Sequence, residues 1–158
     1  MPPRYVDILV VHCGGNDLHG TPMAARQLAD NYISKFSLLA KTVVLCSVVY
    51  RHRPRGMTRL KFRELADAFN GRLIDRAAEF PHLVCWRHRH LDRYLLRSND
   101  GVHFNQEEGV RFYLSLRRAV KRARQVFTAL TVWVKWDIPR ASVLHTTDSF
   151  SKKNKNFK

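Results

Sequence analysis

Two short segments, far apart in the sequence, contain residues whose types and spacing could do hydrolytic chemistry. In the later one, residues 100–103 (DGVH), an aspartate stands three positions before a histidine on a glycine-containing turn. That spacing lets the carboxylate of Asp100 bind one ring nitrogen of His103 while the other ring nitrogen faces a cleft. The segment predicts the orienting acid and the base of a catalytic triad, although each residue taken alone is also typical of an ordinary turn or helix cap.

The earlier segment, residues 12–17 (HCGGND), follows an apolar run and predicts an oxyanion-binding turn. Gly14 and Gly15 let the backbone turn sharply and bring Asn16 close to a reacting group, where its side-chain amide can donate to a developing oxyanion. We expect Asn16, with Gly14, to form this oxyanion side of a site. The alternative is a plain strand-to-helix turn, since glycine, asparagine and aspartate are common in turns.

The order and spacing of the two segments resemble the third and fifth sequence blocks of the SGNH, or GDSL-like, hydrolases. The resemblance covers residues 5–126. It implies a three-layer α/β fold with a parallel sheet and flanking helices, similar to flavodoxin, and ester or acyl hydrolysis by a Ser-His-Asp triad. By motif match it gives His103 the role of base, Asp100 that of its orienting acid, and Asn16 that of an oxyanion donor.

The serine of that family is missing, since no GDS motif occurs anywhere in the 158 residues. In the family the serine block and a glycine-donor block both precede the GxND block, where this chain has only residues 1–8 and one strand. We therefore expect the first strand or strands of the fold to be absent and hydrolysis to be lost or weak. The exposed sheet edges could then support self-association. The alternative is a longer product with the GDS block upstream, which would be a working esterase on a small ester or acylated substrate.

Three residues are candidates for a substitute nucleophile. Cys13 is the first of them, because it precedes the glycine turn and could approach the edge of the site. Ser47 lies in an apolar strand and is expected to point into the core or a neighbouring helix, and Ser98 shares the loop of Asp100. A nucleophile needs hydrogen-bond reach to the base and an activating environment, and the local sequence shows neither.

No metal site and no cofactor are predicted. Cys13, Cys46 and Cys85 lie in apolar runs without a CxxC pattern, which indicates reduced core thiols rather than disulfides or metal ligands. His88 and His90 would share one face of a strand end, and we expect them to be solvated there rather than bound to zinc. With no leader-like segment at the N-terminus, this cysteine usage favours the cytoplasm.

The net charge of +15, from 28 Lys and Arg against 13 Asp and Glu, points to a different class of function. The positive charge concentrates in residues 51–55, 87–90, 117–124 and 152–155, and it favours anionic partners. On a helix such charge is also typical of a solvated face. Since no RNP, KH or zinc-finger signature is present, the alternative to a hydrolase is non-specific, salt-sensitive binding of a polyanion or nucleic acid on the same scaffold.

The remaining pattern predicts the order β-α-β-α-β-α with right-handed crossovers. Strands are expected at 5–11, 42–49 and 82–86. Helices are expected after the N-caps Thr21, Thr58 and Asn105, the second to residue 80 and the third to about residue 126. Three sets of apolar residues are expected to face inward: Leu28, Tyr32, Phe36 and Leu39; Phe62, Leu65, Phe69, Leu73 and Ala77; and Val110, Tyr113, Val120 and Phe127.

Residues 1–127 are thus expected to form one partial domain and 128–158 a partly disordered C-terminal extension. No apolar run approaches the length of a membrane span. Ligands of open α/β sheets bind beyond the carboxyl ends of the strands, where both motifs fall in this interpretation.

Overall fold

The computed structural model describes residues 6–89, 91 and 100–136, and these form six alternating elements. The predicted order is confirmed. The elements are β1 (Val6–Val11), α1 (Pro22–Phe36), β2 (Ala40–Cys46), α2 (Arg59–Ala77), β3 (Leu83–Trp86) and α3 (Gln106–Trp136).

The three described strands form one parallel sheet in the order β1-β2-β3. Val44 of β2 is level with Val10 on one side and with Val84 on the other. Strand β2 is therefore central, and Val43 and Val44 on its opposite faces are both 0% exposed. An unbroken apolar run is what a parallel strand covered on both faces requires.

Helices cover both faces of the sheet, so the domain has three layers. Helices α1 and α2 pack with β2 residues such as Val43 and Leu45 in the larger core cluster, which includes Phe62, Leu65 and Phe69. On the other face, α3 packs against Val44 and Cys46 through Ala119 and Ala123. The α/β class with a parallel sheet is confirmed, and the arrangement is compatible with a flavodoxin-like layout.

Side-chain caps start all three helices where the sequence predicts them. The Thr21 hydroxyl accepts from the Ala24 amide at 3.2 Å, and the Thr58 hydroxyl accepts from the Lys61 amide at the same distance. The Asn105 side-chain oxygen accepts from the Glu108 amide at 2.8 Å. These bonds satisfy amides that have no partner inside the helix.

The predicted inner face of α2 is confirmed. All five of its residues are at most 5% exposed: Phe62, Leu65, Phe69, Leu73 and Ala77.

The predicted inner face of α3 is partly wrong. Val110 is 56% exposed and Tyr113 is 63% exposed, whereas Ala119 and Ala123 are completely buried. The prediction followed the large apolar side chains, but the contact with the sheet is made through alanines. Small side chains let the helix axis approach the strands closely, and the larger residues beside them stay outside.

Some predicted boundaries are also wrong. Strand β2 ends at Cys46, although residues 47–49 stay buried, and Leu39 lies beyond α1 and is 48% exposed. Helix α3 continues past residue 126 to Trp136, since no glycine or proline occurs between Gly109 and Pro139 to stop it. The predicted disorder of the C-terminal end falls largely on residues 137–158, which lie outside the described part of the chain.

None of the helices that the structure describes is long and apolar enough to cross a lipid bilayer.

Strands β1 and β3 are the two edges of the described sheet, and Val6 at the start of β1 is 46% exposed. The predicted self-association through such edges stays a prediction.

Two leucines of α2 give a matched test of this core. Leu65 is 0% exposed and Leu60 is 79% exposed. We expect Leu65→Ala to lower the free energy of unfolding by about 2–5 kcal/mol, because it leaves a cavity between α2 and the sheet. Leu60→Ala should change it by about 0.5 kcal/mol or less in the same urea titration. Equal effects of the two variants would contradict the described packing of α2.

Candidate functional site

A cleft of about 410 Å³ lies at the carboxyl ends of the strands, and both predicted motifs line it. This is the edge where parallel α/β sheets bind ligands. The lining residues are His12, Cys13, Gly14, Gly15, Asn16, Asp17, Val48, Val49, Arg51, Val102, His103 and Phe104.

Gly14 makes the turn after β1 possible. Its φ of +100° lies in the region that favours glycine. A Cβ at this position would stand 3.2 Å from the Phe69 ring and 3.3 Å from the Tyr32 ring. The turn is closed by the Asp17 amide, which donates to the Gly14 carbonyl at 3.0 Å. Gly14 therefore brings the chain close to the core and aims the following residues into the cleft.

Asn16 is held by Arg51, which sequence reasoning placed only in a basic loop. The Arg51 guanidinium donates to the side-chain oxygen of Asn16 at 2.8 Å. Since the amide oxygen is used in this bond, the amide NH₂ group is the part of Asn16 suited to donate to an oxyanion. Arg51 also lies over the Phe62 ring, 5.5 Å from its centroid, and its burial lowers its pKa. The sequence did contain one signal for this role, because Arg51 follows β2 and so lies at the sheet edge where ligands bind.

Asp100 and His103 form the pair that the spacing predicts. One carboxylate oxygen of Asp100 accepts from the amides of Val102 at 2.9 Å and His103 at 3.0 Å. The other carboxylate oxygen is hydrogen bonded to Nδ1 of His103. This leaves Nε2 of an exposed imidazole ring as the atom that can exchange a proton with a substrate. The geometry suits an orienting acid and a base, and the catalytic roles stay predictions.

A second glycine joins the two loops around the cleft. The Gly101 carbonyl accepts from the amides of His52 and Arg53, each at 3.0 Å. Gly101 has a φ of +68°, and a Cβ there would lie 2.7 Å from the Cβ of Arg53. Only glycine fits, so the loop after β2 and the turn that carries His103 are held in direct contact.

Among the described residues, no candidate for a substitute nucleophile has surroundings that would activate it. Cys13 is half-buried and hydrogen bonded to Tyr32, and burial raises the pKa of its thiol, which is therefore protonated at neutral pH. Ser47 is buried, as expected, and accepts from the His88 amide at 3.4 Å. Ser98 lies outside the described residues. The described lining of the cleft includes no hydroxyl side chain.

The expectation that His88 is solvated on the surface is wrong. His88 is 0% exposed, and its Nδ1 lies 2.8 Å from the Ser115 hydroxyl of α3. Ser115 also accepts from the Trp86 indole at 3.1 Å. Burial, with a smaller contribution from the nearby His12 ring, lowers the pKa of His88 to about 4. Alternation along β3 places residue 88 on the side of Trp86, which faces α3. His90 lies outside the described residues.

Sequence reasoning missed a cluster that this burial creates. The ligand atoms of His12, Cys46 and His88 all lie within 4.8 Å of one another. Each residue comes from the end of a different strand, so no local spacing pattern could reveal the group. The prediction of no metal site considered only spacing within single segments.

Comparison with known proteins finds no family model, no curated protein and no solved structure that matches this chain.

The buried His88 predicts a pH dependence of stability. Its pKa is about 6.5 in the unfolded chain and about 4 in the folded one, so the unfolded state binds the proton more tightly. The contribution of His88 to stability is therefore full above pH 6.5 and falls, by up to about 3 kcal/mol, as the pH drops towards 4.

Urea unfolding between pH 7 and pH 4.5, in buffer with EDTA, measures this dependence. His88→Gln should flatten it, whereas the same change at the exposed His19 should leave it as in the original chain. An unchanged slope in His88→Gln would mean that His88 is not buried in its neutral form.

Proposed function

We propose that this chain is an SGNH-hydrolase-like domain that carries the base and oxyanion half of a site for ester or acyl hydrolysis. The observation that carries the proposal is the convergence of the two motifs on one cleft. Asn16 and His103 line the same cavity, although they are far apart in the sequence. Parallel strands bring all their following loops to one edge, but Asn16 and His103 line one cleft there, and the imidazole is already oriented by Asp100.

The proposed chemistry follows from the described contacts. Nε2 of His103 takes the proton from a nucleophile as that nucleophile attacks the ester carbonyl, and Asp100 stabilises the imidazolium that forms. The NH₂ group of Asn16 donates to the oxyanion, and the nearby Arg51 guanidinium adds positive charge. Collapse of the tetrahedral intermediate expels the alcohol, which recovers the proton from His103.

Water is the nucleophile that the described residues can activate. The described lining of the cleft holds no serine, and the Cys13 thiol in it is protonated at neutral pH. Without covalent catalysis the rate should be far below that of a complete triad, because removal of the serine costs most of the acceleration. The chain should therefore act slowly, and only on esters with good leaving groups.

Hydrolysis of p-nitrophenyl acetate tests the proposal. We expect His103→Ala to lower the second-order rate constant by at least about tenfold, because the general base is lost. Asn16→Ala should lower it in the same direction, because an oxyanion donor is lost. His19→Ala is the matched control, since His19 is exposed and outside the cleft lining. Equal rates for the His103 and His19 variants, with both folded by circular dichroism, would overturn the proposal.

A second candidate function is binding of a polyanion, and a specific groove favours it. Four arginines, Arg87, Arg89, Arg118 and Arg122, line a cavity of about 540 Å³ between the end of β3 and α3. No carboxylate is among its described lining residues. Guanidinium groups grouped in this way suit phosphates, and the net charge of +15 would add long-range attraction.

Anisotropy of a labelled single-stranded oligonucleotide tests this candidate at several salt concentrations. Replacing both Arg118 and Arg122 by serine should weaken binding at least about tenfold and reduce the salt slope by about 1.4, which is about 0.7 for each lost phosphate contact on a single strand. The same double change at Arg59 and Arg63 of α2 removes equal charge outside the groove and should have a smaller effect. Equal losses in the two double variants would mean that net charge alone drives binding.

A further inference from the structure

The carboxyl ends of all three described strands contribute one metal-ligating side chain to a common point. Cys46 is the last residue of β2, His12 follows β1 directly, and His88 lies two residues beyond the end of β3. Successive side chains along a strand alternate between the faces of a sheet. The three residues therefore continue the face formed by Val10, Val44 and Trp86, which packs against α3.

The distance between the two imidazole rings fits a shared tetrahedral ion. Nε2 of His88 lies 3.3 Å from Nδ1 of His12. Two nitrogens bound to one tetrahedral zinc ion at about 2.0–2.1 Å are separated by about 3.3–3.4 Å. The Cys46 sulfur and both nitrogens lie within 4.8 Å of one another, which places the thiol as the third ligand of the set.

The surroundings of His88 orient it as a ligand. Ser115 lies 2.8 Å from Nδ1 of His88, on the side of the ring opposite Nε2. Its hydroxyl oxygen has two lone pairs, so it can accept from the Trp86 indole and from Nδ1–H of His88 together. A metal-bound histidine usually donates its second ring N–H to such a partner, which fixes the ring and its tautomer.

Burial affects the protonation of the three candidate ligands in different ways. Burial lowers the pKa of both His12 and His88, which favours neutral rings whose nitrogens carry lone pairs. Burial raises the pKa of the Cys46 thiol to about 12, so this thiol holds its proton until a bound divalent ion displaces it to solvent. Edge contacts of Phe112 with the His12 ring, 4.7 Å between centroids, shield the cluster on the α3 side. His12 also lines the cleft, which gives an ion a route of entry.

We propose that His12, Cys46 and His88 form a zinc-binding site that ties the three strand ends together beneath α3. The N₂S donor set suits Zn²⁺, a borderline ion that binds imidazole and thiolate together, and water would take the fourth position. The site uses none of the residues assigned to hydrolysis, so it stands independently of the proposed function.

Titration of the EDTA-treated, desalted full chain with Co²⁺ tests the site directly. Cobalt substitutes for zinc and gives a near-ultraviolet thiolate-to-cobalt charge-transfer band and visible bands typical of tetrahedral coordination. We expect these bands to saturate at one Co²⁺ per chain and to disappear when Zn²⁺ displaces the cobalt. Absence of a thiolate band would overturn the proposal.

Variants identify the ligands. Cys46→Ala should abolish the charge-transfer band, whereas Cys85→Ala should retain it, because Cys85 packs into the core on the opposite face of the sheet. His12→Ala changes an exposed residue and should leave the fold intact while weakening Co²⁺ binding at least about tenfold. A band that survives in Cys46→Ala or vanishes in Cys85→Ala would assign the metal to another thiol. Unchanged affinity in a folded His12→Ala would remove His12 from the site and overturn the proposal even if Cys46→Ala does not fold.

Discussion

The structure depends on one constraint, which is that β2 must be covered on both faces and paired along both edges. Its residues Val43 and Val44 are fully buried on opposite sides of the sheet. The hydrogen bonds of its backbone are made with β1 and β3, and α1, α2 and α3 supply the apolar cover. Because all three strands run in the same direction, their carboxyl ends meet at one edge. The candidate hydrolase cleft and the His12-Cys46-His88 cluster both lie at this edge.

Beyond the strand ends, the chain is held by side-chain and loop hydrogen bonds instead of the hydrogen bonds of the sheet. The Asn70 side chain of α2 pairs with both backbone groups of Val48, at 2.8 Å and 3.0 Å, and so fixes the chain just after β2. The Gly101 carbonyl then joins the following loop to the turn that carries His103. Arg51 completes the arrangement by holding Asn16. The cleft is therefore a consequence of contacts between loops, each of which is anchored to a rigid strand or helix.

Sequence reasoning succeeded where the signal was local. The caps at Thr21, Thr58 and Asn105 depend on a few neighbouring residues, and the buried face of α2 follows a regular helical period. The hydrogen bond between Asp100 and His103 joins residues three positions apart, so the sequence spacing predicted it equally well. These features depend on interactions between residues that are close together in the sequence.

The failures concern contacts between distant segments. The side of α3 that meets the sheet is chosen by the close approach of alanines, which a preference for large apolar residues overlooks. The burial of His88 depends on contacts with Ser115 and Phe112, which belong to α3. The role of Arg51 depends on a turn 35 residues earlier. Neither the spacing nor the type of these residues contains that information.

The central claim is that Asp100 orients the His103 ring so that its Nε2 faces the cleft as a base. Nitrogen-15 NMR of the histidine side chains, which distinguishes the two neutral tautomers, measures this most directly. The account predicts that neutral His103 carries its proton on Nδ1, with a downfield proton signal from the bond to Asp100, and that both features are lost in Asp100→Asn. A His103 ring that holds its proton on Nε2 at neutral charge, whether or not Asp100 is present, would contradict the claim.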